Sequence, residues 1–195
     1  RADAIVRADA RIDEIEAEIE KHVITTIALR APMADDLRAM IGALKIAAVL
    51  ERVGDYAKSI AKRVPLLAHE RSIESIPLLL SMSERVCELL RDVLAAYAGQ
   101  DPDLAVDVAR RDKRVDDFYN SIFRALITHM MENPRSITES AHLLFIAKNL
   151  ERAGDHATTV AEMVYFTATG HHMEEREKGA DVAMLKGEDF SNGQS

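Results

Sequence analysis

Cysteine and tryptophan are almost absent from this 195-residue chain, which contains one cysteine and no tryptophan. The single cysteine, Cys87, lies in an apolar helical pattern and cannot form a disulfide within the chain, so a disulfide-stabilised fold is excluded. No apolar run approaches the roughly 18 residues of a membrane span, and no signal peptide is visible. These absences favour a cytoplasmic protein.

Glycine, proline and aromatic residues are also scarce. The chain has 8 glycines, 5 prolines and 5% aromatic residues, whereas 48% of its residues are hydrophobic. Leu, Ile, Val and Ala dominate, which is typical of an all-α helical bundle with a sizeable core. The formal net charge of −8 indicates a solvated acidic surface and argues against nucleic acid as a partner.

The few prolines and glycines divide the chain into five predicted helices. Proline is tolerated in the first turn of a helix, whereas glycine often ends one. Asp101-Pro102 and Asn133-Pro134 are therefore predicted helix starts, and Gly99 and Gly170 are predicted stops. The apolar periodicity places the helices at about residues 3–30, 32–64, 77–98, 102–132 and 134–169, with a polar connection at 66–75 and a flexible tail at 171–195.

One pattern of residues occurs twice in the chain. Residues 44–61 read LKIAAVLERVGDYAKSIA, and residues 144–161 read LFIAKNLERAGDHATTVA. Upstream of them, DARID at residues 9–13 matches DKRVD at residues 112–116. The repeated unit is therefore a helical hairpin.

The repeat predicts two three-helix bundles related by an internal pseudo-twofold axis, at residues 1–66 and 75–170. A predicted helix at 77–98 precedes the second hairpin, and no equivalent helix precedes the first. We therefore expect the first helix of the first bundle to be missing, and an apolar groove to mark its place on the first hairpin.

Acidic residues of the first hairpin should meet at one level. Its two helices must run antiparallel because their connection is short, so residues equally far from the turn lie at the same height. Asp13 and Glu51 are equally far in sequence from Pro32, one before it and one after it, and the same is true of Asp9 and Asp55. Glu51 and Asp55 also share one face of their helix, because they are four residues apart.

The second hairpin repeats this arrangement around Pro134. Asp116 and Glu151 lie on opposite sides of the proline, and their sequence separations from it agree to within a single position. Asp112 and Asp155 match each other equally well, one helical turn further from the proline. Each hairpin is therefore expected to gather four carboxylates beside the core, where unpaired charges are costly.

Converging carboxylates need neutralising, and the pattern leaves two explanations open. A bound cation could neutralise them, and oxygen-only ligands favour hard cations, iron or manganese. Alternatively, protons, lysines or arginines could neutralise them in a metal-free bundle held by ion pairs. The glycines beside the acids, Gly54 and Gly154, indicate either close helix approach at the site or a simple packing notch. The nearby arginines are Arg11, Arg52, Arg114 and Arg152.

A di-iron carboxylate enzyme is a further possibility, because helical bundles that hold di-iron also use inward acids on facing helices. Such an enzyme needs histidine ligands at the level of the acids. Glu139 and His142 have the required ExxH spacing, but His142 lies nine residues before Glu151, about 13 Å along a helix. His156 directly follows Asp155 and points elsewhere on the helix. The enzyme hypothesis is therefore the weaker one.

The repeated segments resemble a known family. The paired signature of the PhoU family, the regulators of phosphate uptake, closely resembles two segments of this chain, LERVGDYAKSIAKR and LERAGDHATTVAEMV. The two lead-in segments of the family resemble LRAPMADDLRAMIGALKIA and HLLFIAKNLERAGDHA. The resemblance covers residues 1–170 and implies two three-helix bundles that can hold multinuclear iron or other metal clusters. Oxygen ligands do not distinguish iron from Zn, Mn, Ni, Mg or Ca. Carried over by position, the ligands are Asp9, Asp13, Glu51 and Asp55 in a first carboxylate cluster, and Asp112, Asp116, Glu151 and Asp155 in a second carboxylate cluster.

The resemblance also implies a function. The family is not enzymatic, and it resembles an adaptor between the phosphate ABC transporter, especially its ATPase subunit, and the phosphate-sensing histidine kinase. Such an adaptor represses the phosphate-starvation genes when phosphate is plentiful. We expect this chain to act as a homodimer, to contact the membrane only through these partners and to bind no nucleic acid.

Overall fold

The computed structural model describes residues 2–67 and 75–173, and these ranges contain helices and no β-strand. The all-α prediction is therefore confirmed. Parts of the predicted connection at 66–75 and of the predicted tail at 171–195 lie outside the described residues, namely 68–74 and 174–195. The α-helices are α1 (Ala2–Arg30), α2 (Asp35–Arg63), α3 (Ile76–Gly99), α4 (Pro102–Arg111), α5 (Lys113–Glu132) and α6 (Ile137–Thr169), and short 3-10 turns cover Val64–Leu67 and Pro134–Ser136.

Two helix boundaries follow the predicted chemistry closely. The side chain of Asp101 accepts a hydrogen bond from the backbone N–H of Leu104 at 3.0 Å, and Pro102 is the first residue of α4. Capping by the aspartate satisfies a backbone donor that the helix itself leaves open. Gly170 follows α6 with a φ of 77°, the left-handed conformation that glycine adopts without strain.

Other boundaries differ from the prediction by a few residues. Gly99 stays helical, and Gln100 takes the left-handed position instead, with φ 50° and ψ 43°. α2 begins at Asp35 rather than at Pro32, because Ala31 and Ala34 both have positive φ and keep the turn out of helical conformation. α6 likewise begins three residues after the proline of its own turn, once a 3-10 turn has ended.

The helix predicted over 102–132 is interrupted at Asp112, which separates α4 from α5. The backbone of Asp112 keeps right-handed helical angles, φ −60° and ψ −32°. Its carbonyl accepts a short hydrogen bond of 2.7 Å from the N–H of Val115, three residues ahead. Such a bond tightens the local turn, so the interruption is a 3-10-like step within a nearly continuous rod.

The central pair of helices, α2 and α6, comes from the two different hairpins. Their contacts run in opposite directions along the two helices, since Gly42 lies against Thr167 whereas Tyr56 packs on His156, so the pair is antiparallel. A Cβ at Gly42 would overlap the Cγ2 of Thr167, which shows how closely the two helices approach.

The apolar core lies mainly in the second half of the chain. α3, α4, α5 and α6 pack together and supply the largest fully buried apolar side chains, whereas α1 contributes the less deeply buried Val23 among the described residues. Burial of these side chains is the main source of folding free energy. The largest of them are Met82, Leu89, Val93, Val108, Val115, Ile122, Leu126, Val160 and Val164.

The first hairpin, α1 and α2, borders an open apolar cavity of about 410 Å³. α1, α2 and α3 all contribute to its lining, which includes Ile12, Ile19, Leu50, Val53 and Leu90. The predicted apolar groove on this hairpin is therefore present. None of the helices in residues 2–67 and 75–173 combines the length and apolarity required to cross a membrane.

Candidate metal centre

Both glycines of the repeated motif lie against the facing helix of their hairpin. A Cβ at Gly54 would lie 3.4 Å from the Oδ1 of Asp9. A Cβ at Gly154 would lie 2.9 Å from the Oδ1 of Asp112 and 3.2 Å from the Cγ1 of Val115. Each glycine thus makes room for the aspartate at the start of the matching acidic segment.

The second carboxylate cluster brings three of its four predicted members together. Carboxylate oxygens of Asp112, Asp116 and Asp155 all lie within 4.8 Å of one another. Asp112 is 1% exposed, Asp116 is partly buried and Asp155 is exposed, so the group opens from the core to the surface. Asp112 directly precedes α5, Asp116 lies in its first turn and Asp155 lies near the middle of α6.

The fourth predicted member, Glu151, points to a lysine. The Nζ of Lys148 lies 2.6 Å from a Glu151 oxygen and donates a hydrogen bond to it. Lys148 also lies over the ring of Tyr119, with its Nζ 5.2 Å from the ring centroid. Glu151 is therefore held by an ion pair, and it is not one of the three residues whose oxygens converge.

The first carboxylate cluster is arranged differently, because a lysine lies within it. The Nζ of Lys58 donates a hydrogen bond to Asp9, which is 4% exposed, and lies 3.7 Å from the Oδ1 of Asp55. Within residues 2–67 and 75–173, no three acids of this hairpin bring their oxygens within 4.8 Å of one another. Asp13 lies on the exposed side of α1.

Glu51 of the first cluster experiences the charges of neighbouring acids. Burial raises the pKa of Glu51, the negative charge of Asp55 raises it further, and Asp13 also contributes to the rise. Arg52, whose Nε lies 3.8 Å from a Glu51 oxygen, opposes the increase. In the same cluster, the hydrogen bond to the buried aspartate raises the pKa of Lys58 and so favours its charged form.

The sequence did not single out these two lysines, since the nearby counter-ions that it indicated by position were arginines. Arg11 instead pairs with Glu14 on the exposed side of α1, at 3.0 Å. The sequence spacing could have identified both lysines as partners of the acids. Lys58 lies three residues after the aspartate of its motif, and Lys148 lies three residues before the glutamate of its motif. Residues three apart are neighbours on a helix surface.

His156, which follows Asp155 directly, contacts the facing helix α2. The Nε2 of His156 lies 3.4 Å from the hydroxyl of Tyr56, and the two rings meet edge to face at 5.3 Å in the α2–α6 contact. Among the described residues, the group with converging oxygens contains no histidine, and His142 is not part of it. The histidine ligands that a di-iron enzyme needs are thus not among the residues gathered there.

The three aspartates form a donor set that fits a metal ion. Carboxylate oxygens suit hard cations such as Mg²⁺, Ca²⁺ and Mn²⁺, and they also suit iron. The space at Gly154 is required for the Asp112 carboxylate to reach this position, since a Cβ there would nearly touch its oxygen. The geometry can therefore hold a cation between α5 and α6.

Comparison with known sequences relates the chain to one family. The sequence profile of the PhoU domain matches residues 1–64 and 79–164. The chain is 54% identical over 183 residues to a phosphate-specific transport system accessory protein PhoU homolog of Zymomonas mobilis, a match that spans 94% of this chain and 77% of that protein. A homolog of the same description from Caulobacter vibrioides is 47% identical over 188 residues, spanning 93% of this chain and 79% of the relative.

Solved structures agree with this relationship. The crystal structure of PhoU from Pseudomonas aeruginosa superposes with a TM-score of 0.83 at 34% identity, covering 87% of this chain and 82% of that one. The phosphate transport system regulatory protein PhoU from Streptococcus pneumoniae gives a TM-score of 0.80 at 27% identity, covering 89% and 82%. The resemblance inferred from the two LERxGD segments is confirmed, and the chain belongs to the PhoU family.

Proposed function

We propose that this chain is a metal-binding regulatory adaptor of phosphate uptake and phosphate-responsive signalling. The observation that carries the proposal is the 54% identity, across 94% of the chain, to a protein described as an accessory protein of the phosphate-specific transport system. In this role the chain acts by binding partners and catalyses no reaction. It acts in the cytoplasm as a homodimer.

The proposed partners are the ATPase subunit of the phosphate ABC transporter and the phosphate-sensing histidine kinase. By binding both, the adaptor lowers transporter activity and represses the phosphate-starvation response when phosphate is plentiful. Its contact with the membrane is indirect and runs through these partners. The acidic surface, with a net charge of −8, supports binding to proteins rather than to nucleic acid.

The proposed metal site is the second carboxylate cluster, and iron is the metal that suits both its donors and the family resemblance. Asp112, Asp116 and Asp155 would hold the ion, since their oxygens lie within 4.8 Å of one another. The ion would neutralise the aspartates and cross-link α5 to α6. Glu151 could join as a ligand after its ion pair with Lys148 is broken.

A reporter strain tests the regulatory role. In bacteria that lack their own adaptor of this family, the chain should restore repression of a phosphate-starvation reporter at high phosphate. Asp112→Asn/Asp155→Asn should weaken repression, because it removes two of the three converging carboxylates. Asp117→Asn is the matched control, since Asp117 is an exposed acid next to Asp116 on the same helix. Undiminished reporter expression with the unmodified chain would contradict the regulatory role.

Direct binding tests the proposed partners. The purified chain should bind the isolated ATPase subunit and the cytoplasmic part of the kinase in titration calorimetry, without turnover of ATP by the chain alone. Metal analysis of the same preparation should find iron, and Asp112→Asn/Asp155→Asn should lose it. Binding of neither partner would exclude the adaptor mechanism even if the reporter responds.

A further inference from the structure

The two hairpins differ in where lysines lie relative to the acids of the repeated motif. Lys58 of the first hairpin aligns with Thr158 of the second, since each is the third residue after the aspartate of its motif. Conversely, Lys148 of the second hairpin aligns with Ala48 of the first. Each hairpin therefore pairs a lysine with an acid of its motif, but the lysine is at a different place in each.

The two lysines contact different members of their clusters. Lys58 reaches across the hairpin to the buried Asp9 and lies 3.7 Å from Asp55, so its ammonium lies between the two helices. Lys148 instead contacts a glutamate on its own helix, at 2.6 Å. Asp9 and Asp112 occupy matching positions, each against the glycine of the facing helix, so Lys58 occupies the part of its hairpin where the second hairpin gathers three aspartates.

We propose that Lys58 acts as a tethered cation in the first carboxylate cluster, so that metal ions bind the second cluster in strong preference to the first. This inference rests on the metal-binding part of the proposed function. An ion entering the first cluster must displace an ammonium that is already hydrogen-bonded to Asp9, and it meets the positive charge of that ammonium if the side chain stays nearby. At the second cluster the matching residue is the neutral Thr158.

The burial of the ion pair explains why displacement is unfavourable. Asp9 is 4% exposed and the Lys58 side chain is 30% exposed, so the pair is only partly screened by water. Removing one partner of such a pair leaves the other charge poorly solvated.

Metal titration of exchanged residues tests this assignment. The 195-residue chain is first stripped of metal with a chelator and is then titrated with Mn²⁺, and free Mn²⁺ is followed by electron paramagnetic resonance. The unmodified chain should show one tight class of site, which Asp112→Asn removes. Lys58→Thr should create a second tight class, with a dissociation constant at least about tenfold lower than that of the first cluster in the unmodified chain.

The reciprocal change keeps the test informative if Lys58→Thr folds poorly. Thr158→Lys should raise the dissociation constant of the second cluster at least about tenfold, because it adds an ammonium at the equivalent position. Lys58→Met retains most of the aliphatic stem and should gain the second class of site as Lys58→Thr does. Lys45→Thr is the control, since it removes one exposed lysine of α2 outside the cluster and should change neither site.

The outcomes separate this inference from the proposed function. Two equally tight Mn²⁺ sites in the unmodified chain, unchanged by Lys58→Thr, would overturn the role of Lys58 and leave metal binding intact. No Mn²⁺ binding by any variant would overturn both the metal-binding proposal and the inference built on it. One site that becomes two in Lys58→Thr, and weakens in Thr158→Lys, would support both.

Discussion

Replacing each motif glycine with alanine should have opposite effects in the two hairpins. In both helices the substitution removes a mid-helix glycine, which by itself favours the folded state by about 1 kcal/mol. The neighbouring atoms then decide the sign. At Gly54 the nearest atom is the Cδ1 of Ile12 at 3.0 Å, the end of a flexible and partly exposed side chain.

The surroundings of Gly154 are less able to adjust. An added Cβ would lie 2.9 Å from the Oδ1 of Asp112 and 3.2 Å from the Cγ1 of Val115. Val115 is 0% exposed and Asp112 is 1% exposed, and valine has a restricted χ1 angle. Overpacking at such a position destabilises by about 1–3 kcal/mol, which offsets or exceeds the gain in helix propensity.

We therefore expect Gly54→Ala to be neutral or stabilising by up to about 1 kcal/mol. Gly154→Ala should be destabilising by up to about 2 kcal/mol, because the overpacking is partly offset by helix propensity. Urea denaturation of the unmodified chain and of the two variants, each treated with a chelator and followed by the circular dichroism of its helices, measures the differences in free energy of unfolding. If Gly154→Ala proved as stable as Gly54→Ala, the close contact at Asp112 would not be the reason for the glycine. Gly154→Ala should also weaken Mn²⁺ binding, since it displaces Asp112.

Three further predictions concern helix ends and pH. Gln100→Gly should raise the free energy of unfolding by about 1 kcal/mol in urea denaturation, because glycine adopts a φ of 50° without strain. An unchanged free energy of unfolding would mean that residue 100 does not have a left-handed backbone conformation. Asp101→Ala should lower the free energy of unfolding by about 0.5–2 kcal/mol through loss of the α4 cap, whereas Asp101→Asn should retain most of it. Burial lowers the pKa of His156, and the positive charges of Arg52 and Arg152 lower it further. The unfolded chain therefore binds a proton at this histidine more readily than the folded chain does. The free energy of unfolding should fall as the pH drops from about 7 through the ordinary histidine value of 6.5. Denaturation midpoints of His156→Asn should depend less on pH over this window, and an unchanged slope would contradict the assignment.

The sequence was sufficient to predict the features that depend on local chemistry and on helix geometry. The aspartate cap before Pro102 and the glycine stop at residue 170 are local, and both are found. Counting residues from Pro134 predicted that Asp112 and Asp155 would meet, because the rise per residue of an antiparallel pair is fixed. Which residues of a helical hairpin lie at the same level can therefore be predicted even where the conformation of the turn cannot.

Side-chain partners were harder to predict, because they depend on rotamers and on reach across helices. Lys58 has a long and flexible stem between its backbone and its ammonium, and its choice of Asp9 over more exposed acids is a tertiary effect. The diversion of Glu151 to Lys148 is of the same kind. The interruption at Asp112 was also missed, since no proline or glycine marks it and its helical angles are ordinary.

The two halves of the chain differ in the size of their apolar cores, and this difference bears on how each half neutralises its buried aspartate. The first hairpin borders a cavity of about 410 Å³ and contributes few fully buried side chains, so apolar burial stabilises it less. A lysine that is part of the chain neutralises its buried Asp9 at any metal concentration. The second half has the larger apolar core, so its folding depends less on how its acidic side chains are neutralised. If the second cluster binds metal as proposed, the metal can bind and dissociate without unfolding the chain. A regulatory metal site requires this property, whereas a purely structural metal site does not.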